Sequence, residues 1–174
     1  MPWEIDPFHT LVEFSVVHLM INVVKGRFKE VHGSIHLDIQ QPENSWVKAQ
    51  VTTASIDTGV AARDGHLRSA DFFEAVKYPL ISFESTSVQQ TGEKTSIVTG
   101  NLCLHGVTRP ISFQAKFTGH TRDPQTGGWR IGLAATGTID RRLFDMHFNR
   151  LIEGVAMVGH EAHIEMHIEA TQMG

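Results

Sequence analysis

Apolar and polar side chains alternate along most of this chain, and a period of two marks strands with one face buried and one face in water. In residues 11–19, Val12, Phe14, Val16 and His18 share a face. Ile35, Leu37 and Ile39 alternate with Ser34, His36 and Asp38. Ile111, Phe113, Ala115 and Phe117 alternate with Ser112, Gln114 and Lys116. Ala162, Ile164, Met166, Ile168 and Ala170 form a longer row of the same kind. Segments 46–56, 80–88, 96–105 and 129–140 read as further strands.

Between these rows, segments 41–44, 90–93, 106–110 and 122–128 carry the Gly, Pro, Asn and Asp that tight turns need. About eight strands joined mostly by short turns predict an all-β fold, a meandering antiparallel sheet closed into a single barrel, because closure removes exposed edges. Such a barrel has room inside for side chains or one slender ligand. One segment breaks the pattern. In ARDGHLRSADFFEAVKYP, Leu67, Ala70 and Phe73 fall at helical spacing, Asp64 and Asp71 are candidate N-caps, and Tyr78-Pro79 ends the run. It predicts one or two short helices across a barrel mouth. Residues 142–155 are a second irregular stretch expected to do the same near the C-terminus.

A length of 174 residues suits one domain spanning the chain, with a full core. No window approaches the roughly 18 consecutive apolar residues of a membrane-spanning helix, so no stable membrane insertion is expected. The net charge of −4 gives no attraction to phosphate backbones, which argues against nucleic acid as a partner. The first residues lack the basic start and apolar stretch of a secretory signal. A cytoplasmic protein is expected, with a trimmed periplasmic form as the alternative. Cys103 is the one cysteine, so neither an internal disulfide nor a cysteine metal cluster is available. Its neighbours Leu102 and Leu104 predict a buried, inert thiol.

Eleven histidines raise the question of a metal. The densest group is His160, His163 and His167. On a strand, His163, Glu165, His167 and Glu169 spread along one face instead of converging, which predicts a solvated outer face and no metal site. HEAH also lacks the HExxH spacing. His18 lies on an apolar face and reads either as a hydrogen-bonded core histidine or as a ligand contact. There is no GxSxG and no phosphate-binding glycine loop, so neither catalysis nor a cofactor is expected. Asp140-Arg141-Arg142 reads as an ion pair closing a strand end. Ten Phe against one Tyr make a greasy interior, equally consistent with plain core packing and with a dry cavity.

Five segments then appear in order: WEIDPFHTLVEFSVVHLMINVVKGRF, ASIDTGVAARDGHLRSADFF, YPLISFEST, LHGVTRPISF and GTIDRRLFDM. Together they resemble the YceI-like family, lipocalin-like polyisoprenoid-binding proteins, from Trp3 to about Ala170. DGHLRSADFF followed by YP and SFEST is the most specific part. The resemblance implies an extended eight-stranded antiparallel barrel whose apolar pore holds a long isoprenoid, such as a polyprenyl phosphate or a quinone tail. It also implies a homodimer. Where the family commonly has Phe-Gly-Met, this chain has Phe144-Asp145-Met146.

The expected function is therefore binding, storage or transport of a long isoprenoid lipid. Phe14, Val16, Phe28, Ile35, Leu37, Val51, Ile81, Phe83, Phe113 and Phe117 are the expected inner wall, with Leu67, Phe72 and Phe73 as a lid. The polar head is expected near Arg63, His66 or Arg68, with Arg141 as a more distant partner. Two rivals stand beside it: a hydrolase or isomerase using His18 or His66 as base, and a ligand-free structural or stress-response barrel.

Overall fold

The structure, a computed structural model, describes residues 2–172. β1 (Trp3–Ile5) and β2 (Leu11–His18) run end to end along one line. The 3-10 turn Pro7–His9 separates them, capped by Asp6, which accepts the Phe8 N–H at 2.9 Å. β3 (Asn22–Phe28) and β4 (Val31–His36) form the second line. β5 (Trp46–Thr52) and β6 (Ile56–Asp57) form the third, broken by the 3-10 turn Thr53–Ser55. Helix α1 (Ala61–Leu67) follows, then β7 (Leu80–Gln90), β8 (Thr95–Leu104), β9 (Val107–Arg122) and β10 (Trp129–Asp140). A 3-10 turn (Arg141–Phe144) and a small hairpin, β11 (Leu151–Ile152) with β12 (Val155–Ala156), lead into β13 (Val158–Gln172).

All pairings are antiparallel. The long β13 pairs with β10 over most of its length, with β2 from Val158 to His167 and with β1 at its end. Because β1 also pairs with β4, the eight chain lines close into a barrel. Two apolar clusters pack inside. One, around Ile5, Val31, Ile35, Ile131 and Ala170, sits at the end where β10 begins. The other, around Phe72, Leu104, Ile139, Phe144 and Met146, sits at the helix end.

Several local expectations change. β4 stops at His36, because Asp38 accepts the Gln40 and Gln41 N–H groups at 3.0 and 2.9 Å and turns the chain. Ile39 is left 81% exposed. The β8–β9 hairpin turns on two residues, His105 (φ +54°) and Gly106 (φ +72°), the conformation that favours a primed turn. Pro110 therefore lies within β9, not in a turn. It is tolerated because β10 pairs with β9 only from Gln114 onward, leaving that side of Pro110 without a ladder bond. Of the one or two short helices expected here one forms, and residues 69–77 are turns. Residues 142–155 hold a 3-10 turn and a hairpin instead of a lid helix. Cys103 is half-buried on the outer face of β8, because the inward positions are taken by Leu102 and Leu104.

Candidate ligand-binding cavity

Inward-facing rows from every barrel line enclose a cavity of about 710 Å³, within the range of roughly 300–1,000 Å³ typical of small-molecule sites. Phe14, Val16, Phe28, Ile35, Leu37, Val51, Ile81, Phe83, Phe113 and Phe117 all line it. The rows of β10 and β13, among them Leu133, Ile139, Ile164 and Met166, complete the wall. These were legible in the alternating pattern but missed as wall residues. At one end the cavity reaches the exposed His18, which is a rim residue and not a core histidine; at the other it reaches Trp46 and Lys94.

The helix end is covered. Leu67, Phe72 and Phe73 line the cavity from the α1 segment. Phe73 meets Phe28 edge-on, with ring centroids 5.7 Å apart, and Phe28 in turn lies 5.7 Å from Phe14. His66 meets Phe72 and Phe148 edge-on at 5.1 Å each. This aromatic chain ties the lid to the barrel wall, and each such pair adds about 0.5–1.5 kcal/mol beyond its buried area.

Asp64 sits inside α1 and not at its N-cap, which is Val60. Its buried carboxylate reaches back to accept the Thr58 N–H at 2.8 Å and the Thr58 hydroxyl at 2.5 Å, locking the turn before the helix. Burial pushes the Asp64 carboxyl up, but the Thr58 bonds and the charges of Arg68 and Arg63 outweigh it and hold it below the ordinary carboxylate value. Asp71 is likewise no cap: it pairs with His66 Nε2 at 2.8 Å.

The expected head-group residues separate. Arg63 lines the cavity, but its Nε and Nη2 donate to the Thr58 hydroxyl and carbonyl at 2.7 Å each. His66 lines it with Asp71 as partner. Arg68 is not among the lining residues. Arg141 lines the cavity and is 6% exposed. Of the Asp140-Arg141-Arg142 cluster, the ion pair joins Asp140 to Arg142 at 2.7 Å. Arg141 instead donates to three backbone carbonyls: Gly159 and Met146 at 2.9 Å, and Val158 at 3.4 Å.

On β13 the apolar row faces inward, while His163 and His167 are exposed on the opposite face. Asp6, His9 and Glu169 place ligand atoms close together elsewhere, but Arg130 Nη1 already pairs with both carboxylates, 2.8 Å from Asp6 and 2.9 Å from Glu169. The guanidinium already supplies the positive charge a cation would bring.

A closed antiparallel barrel around an apolar cavity, lidded at one end, is a lipocalin-like architecture. A model of the YceI-like domain matches residues 3–170, and the chain belongs to the YceI-like family. A UPF0312 protein of Ectopseudomonas mendocina (strain ymp) is 44% identical over 138 residues, covering 79% of this chain and 72% of that protein. The solved Campylobacter jejuni YCEI protein is 28% identical, with a TM-score of 0.78 over 91% of this chain and 90% of that one. A polyisoprenoid binding domain from Saccharophagus degradans, 15% identical, shares the fold with a TM-score of 0.72 over 97% of each chain.

Proposed function

We propose that this protein binds one long apolar lipid, of the polyisoprenoid class, lengthwise in the barrel. The observation that carries the reading is the cavity wall, which is hydrocarbon and aromatic over most of its length and runs from the lidded end to the opposite mouth. The S. degradans relative is described as a polyisoprenoid binding domain, which supports the same ligand class. Each methylene moved from water into such a wall contributes about 0.8 kcal/mol, and ordering a flexible tail offsets part of that gain. Affinity then comes from the tail, and binding rather than turnover is the function such a wall serves. Storage or transport of the lipid, and the homodimer that family resemblance implies, belong to the same reading; light scattering on the purified protein checks the dimer.

Displacement of a fluorescent lipid probe tests the binding. Geranylgeraniol and a long-tailed quinone are expected to displace it saturably at one molecule per chain. Failure of both to displace or to bind would overturn the reading.

A further inference from the structure

Arg141 is a charged group in a place that punishes charge. It continues the inward row of β10, after Leu133, Ala135 and Ile139, and so points where an apolar residue would otherwise stand. Moving a cation out of water is costly unless an opposite charge accompanies it. Among the described residues no carboxylate lies within 4.0 Å of its guanidinium. Asp140, its sequence neighbour, is engaged with Arg142 in two bonds, at 3.0 and 2.7 Å. Burial pulls the Arg141 pKa below its ordinary value, and the pull of Asp140 does not restore it.

The wall as a whole points the same way. Its lining residues include four Lys or Arg and no Asp or Glu, in a chain whose net charge is −4. The acidic side chains have been kept off this surface. Arg141 also has capacity left. A guanidinium offers five N–H donors, and the carbonyls of Met146, Val158 and Gly159 take three.

The other cations on the wall are placed differently. Arg63 is spent on Thr58, and Lys94 and Lys116 are exposed. Among the described residues of the wall, Arg141 is the buried, fork-shaped donor with no carboxylate partner, at the end where Leu67, Phe72 and Met146 close the cavity.

Building on the lipid-binding reading, we infer that Arg141 binds an oxyanion head group, a phosphate or a carboxylate, of a single-tailed acidic lipid at the lidded end of the barrel. The head enters beneath α1 and the tail runs toward Trp46 and Lys94. Arginine suits the role because its planar fork pairs with a phosphate or carboxylate through parallel hydrogen bonds.

The test compares acid and alcohol forms of the same tail in the displacement assay: geranylgeranyl phosphate against geranylgeraniol, and palmitate against hexadecanol. The wild type is expected to prefer the acid by about tenfold or more in at least one pair, and the pair that shows it identifies the head group. In folded Arg141→Gln the preference disappears while alcohol binding stays within about twofold of wild type. Arg141 holds three carbonyls, so Arg141→Gln can fail to fold, and a wild-type measurement stands beside it. A buried pair is screened little, so the acid preference is expected to persist in 1 M salt, where the screening length is about 3 Å. Equal affinities in both pairs, a preference retained in folded Arg141→Gln, or one abolished by salt as exposed Lys94 and Lys116 would give, each overturn the assignment. Loss of alcohol binding as well, in the wild type, would overturn the lipid-binding reading itself.

Discussion

Asp6, just after the first strand, and Arg130, in the second position of β10, form a 2.8 Å ion pair across 124 residues of sequence. Arg130 also holds Asp123 at 2.6 Å and Glu169 at 2.9 Å, so one guanidinium ties three chain segments together at the end of the barrel opposite the lid. Burial alone would push the Asp6 carboxyl up, but bonds from Arg130, from His9 and from the Phe8 N–H outweigh it and lower it from the ordinary 3.8 to about 2.

A carboxyl held low in the folded state stabilises the fold fully above its unfolded pKa, and that contribution is lost as pH falls through the folded value. The window is therefore pH 4 down to about 2. Asp6→Asn is expected to cost on the order of 1–2 kcal/mol at neutral pH and to flatten the fall in stability across that window. Urea denaturation of both proteins from pH 5 to pH 2 checks it; parallel curves would contradict the role of the pair.

The lid depends on Asp64 reaching back to Thr58. Asp64→Ala leaves the Thr58 N–H and hydroxyl without their acceptor and is expected to destabilise by about 1–3 kcal/mol. Because the lost bonds anchor α1, lipid release should quicken more than affinity falls. Stopped-flow transfer of a bound fluorescent lipid to vesicles measures the release, and an unchanged rate would detach Asp64 from lid closure.

Asp145 adopts φ +59° at the end of the 3-10 turn Arg141–Phe144, a left-handed conformation that suits glycine better than other residues. Asp145→Gly is expected to stabilise by about 0.5–1 kcal/mol. The ion pair it removes, to His147 at 3.2 Å, has both partners mostly exposed and contributes little. A thermal melt is the check, and a lower midpoint would show that Asp145 makes a contribution beyond its backbone.

Period-two alternation made the barrel and its inner wall readable from sequence. Parity alone placed Phe14, Phe113 and Phe117 on apolar faces; that these faces and Phe83 line a ligand cavity was implied by the family resemblance. What escaped were features decided by distant partners. The break between β3 and β4 follows from Lys29 and Thr52 bonding across it, through the Ser55 and Glu30 carbonyls. Asp64 looks like a cap because its residue type favours caps, yet its partner lies six residues earlier. In sequence Asp140-Arg141-Arg142 reads as one ion-paired cluster, and only the fold shows that Arg142 and Asp140 satisfy each other and leave Arg141 inside. Arg68, two positions beyond His66, falls outside the cavity because the α1 segment offers it one face only.

Phe83 lies on the wall with its ring edge-on to Phe113, centroids 5.3 Å apart. Phe83→Leu keeps the wall apolar and should largely preserve lipid binding. Phe83→Asp places an unpaired carboxylate in hydrocarbon, which costs several kcal/mol or forces its protonation, and should abolish binding at neutral pH. Circular dichroism must show the barrel intact in both. Full binding by the folded Asp variant would remove Phe83 from the ligand's path.

The most direct measurement is what the barrel carries. Native mass spectrometry of protein purified without detergent, followed by solvent extraction and identification of the released molecule, is expected to give about one long-tailed lipid per chain. Phe83→Asp prepared in parallel is expected to be empty. Protein that is empty from several hosts, and that takes up no lipid when offered one, would contradict the lipid-binding account.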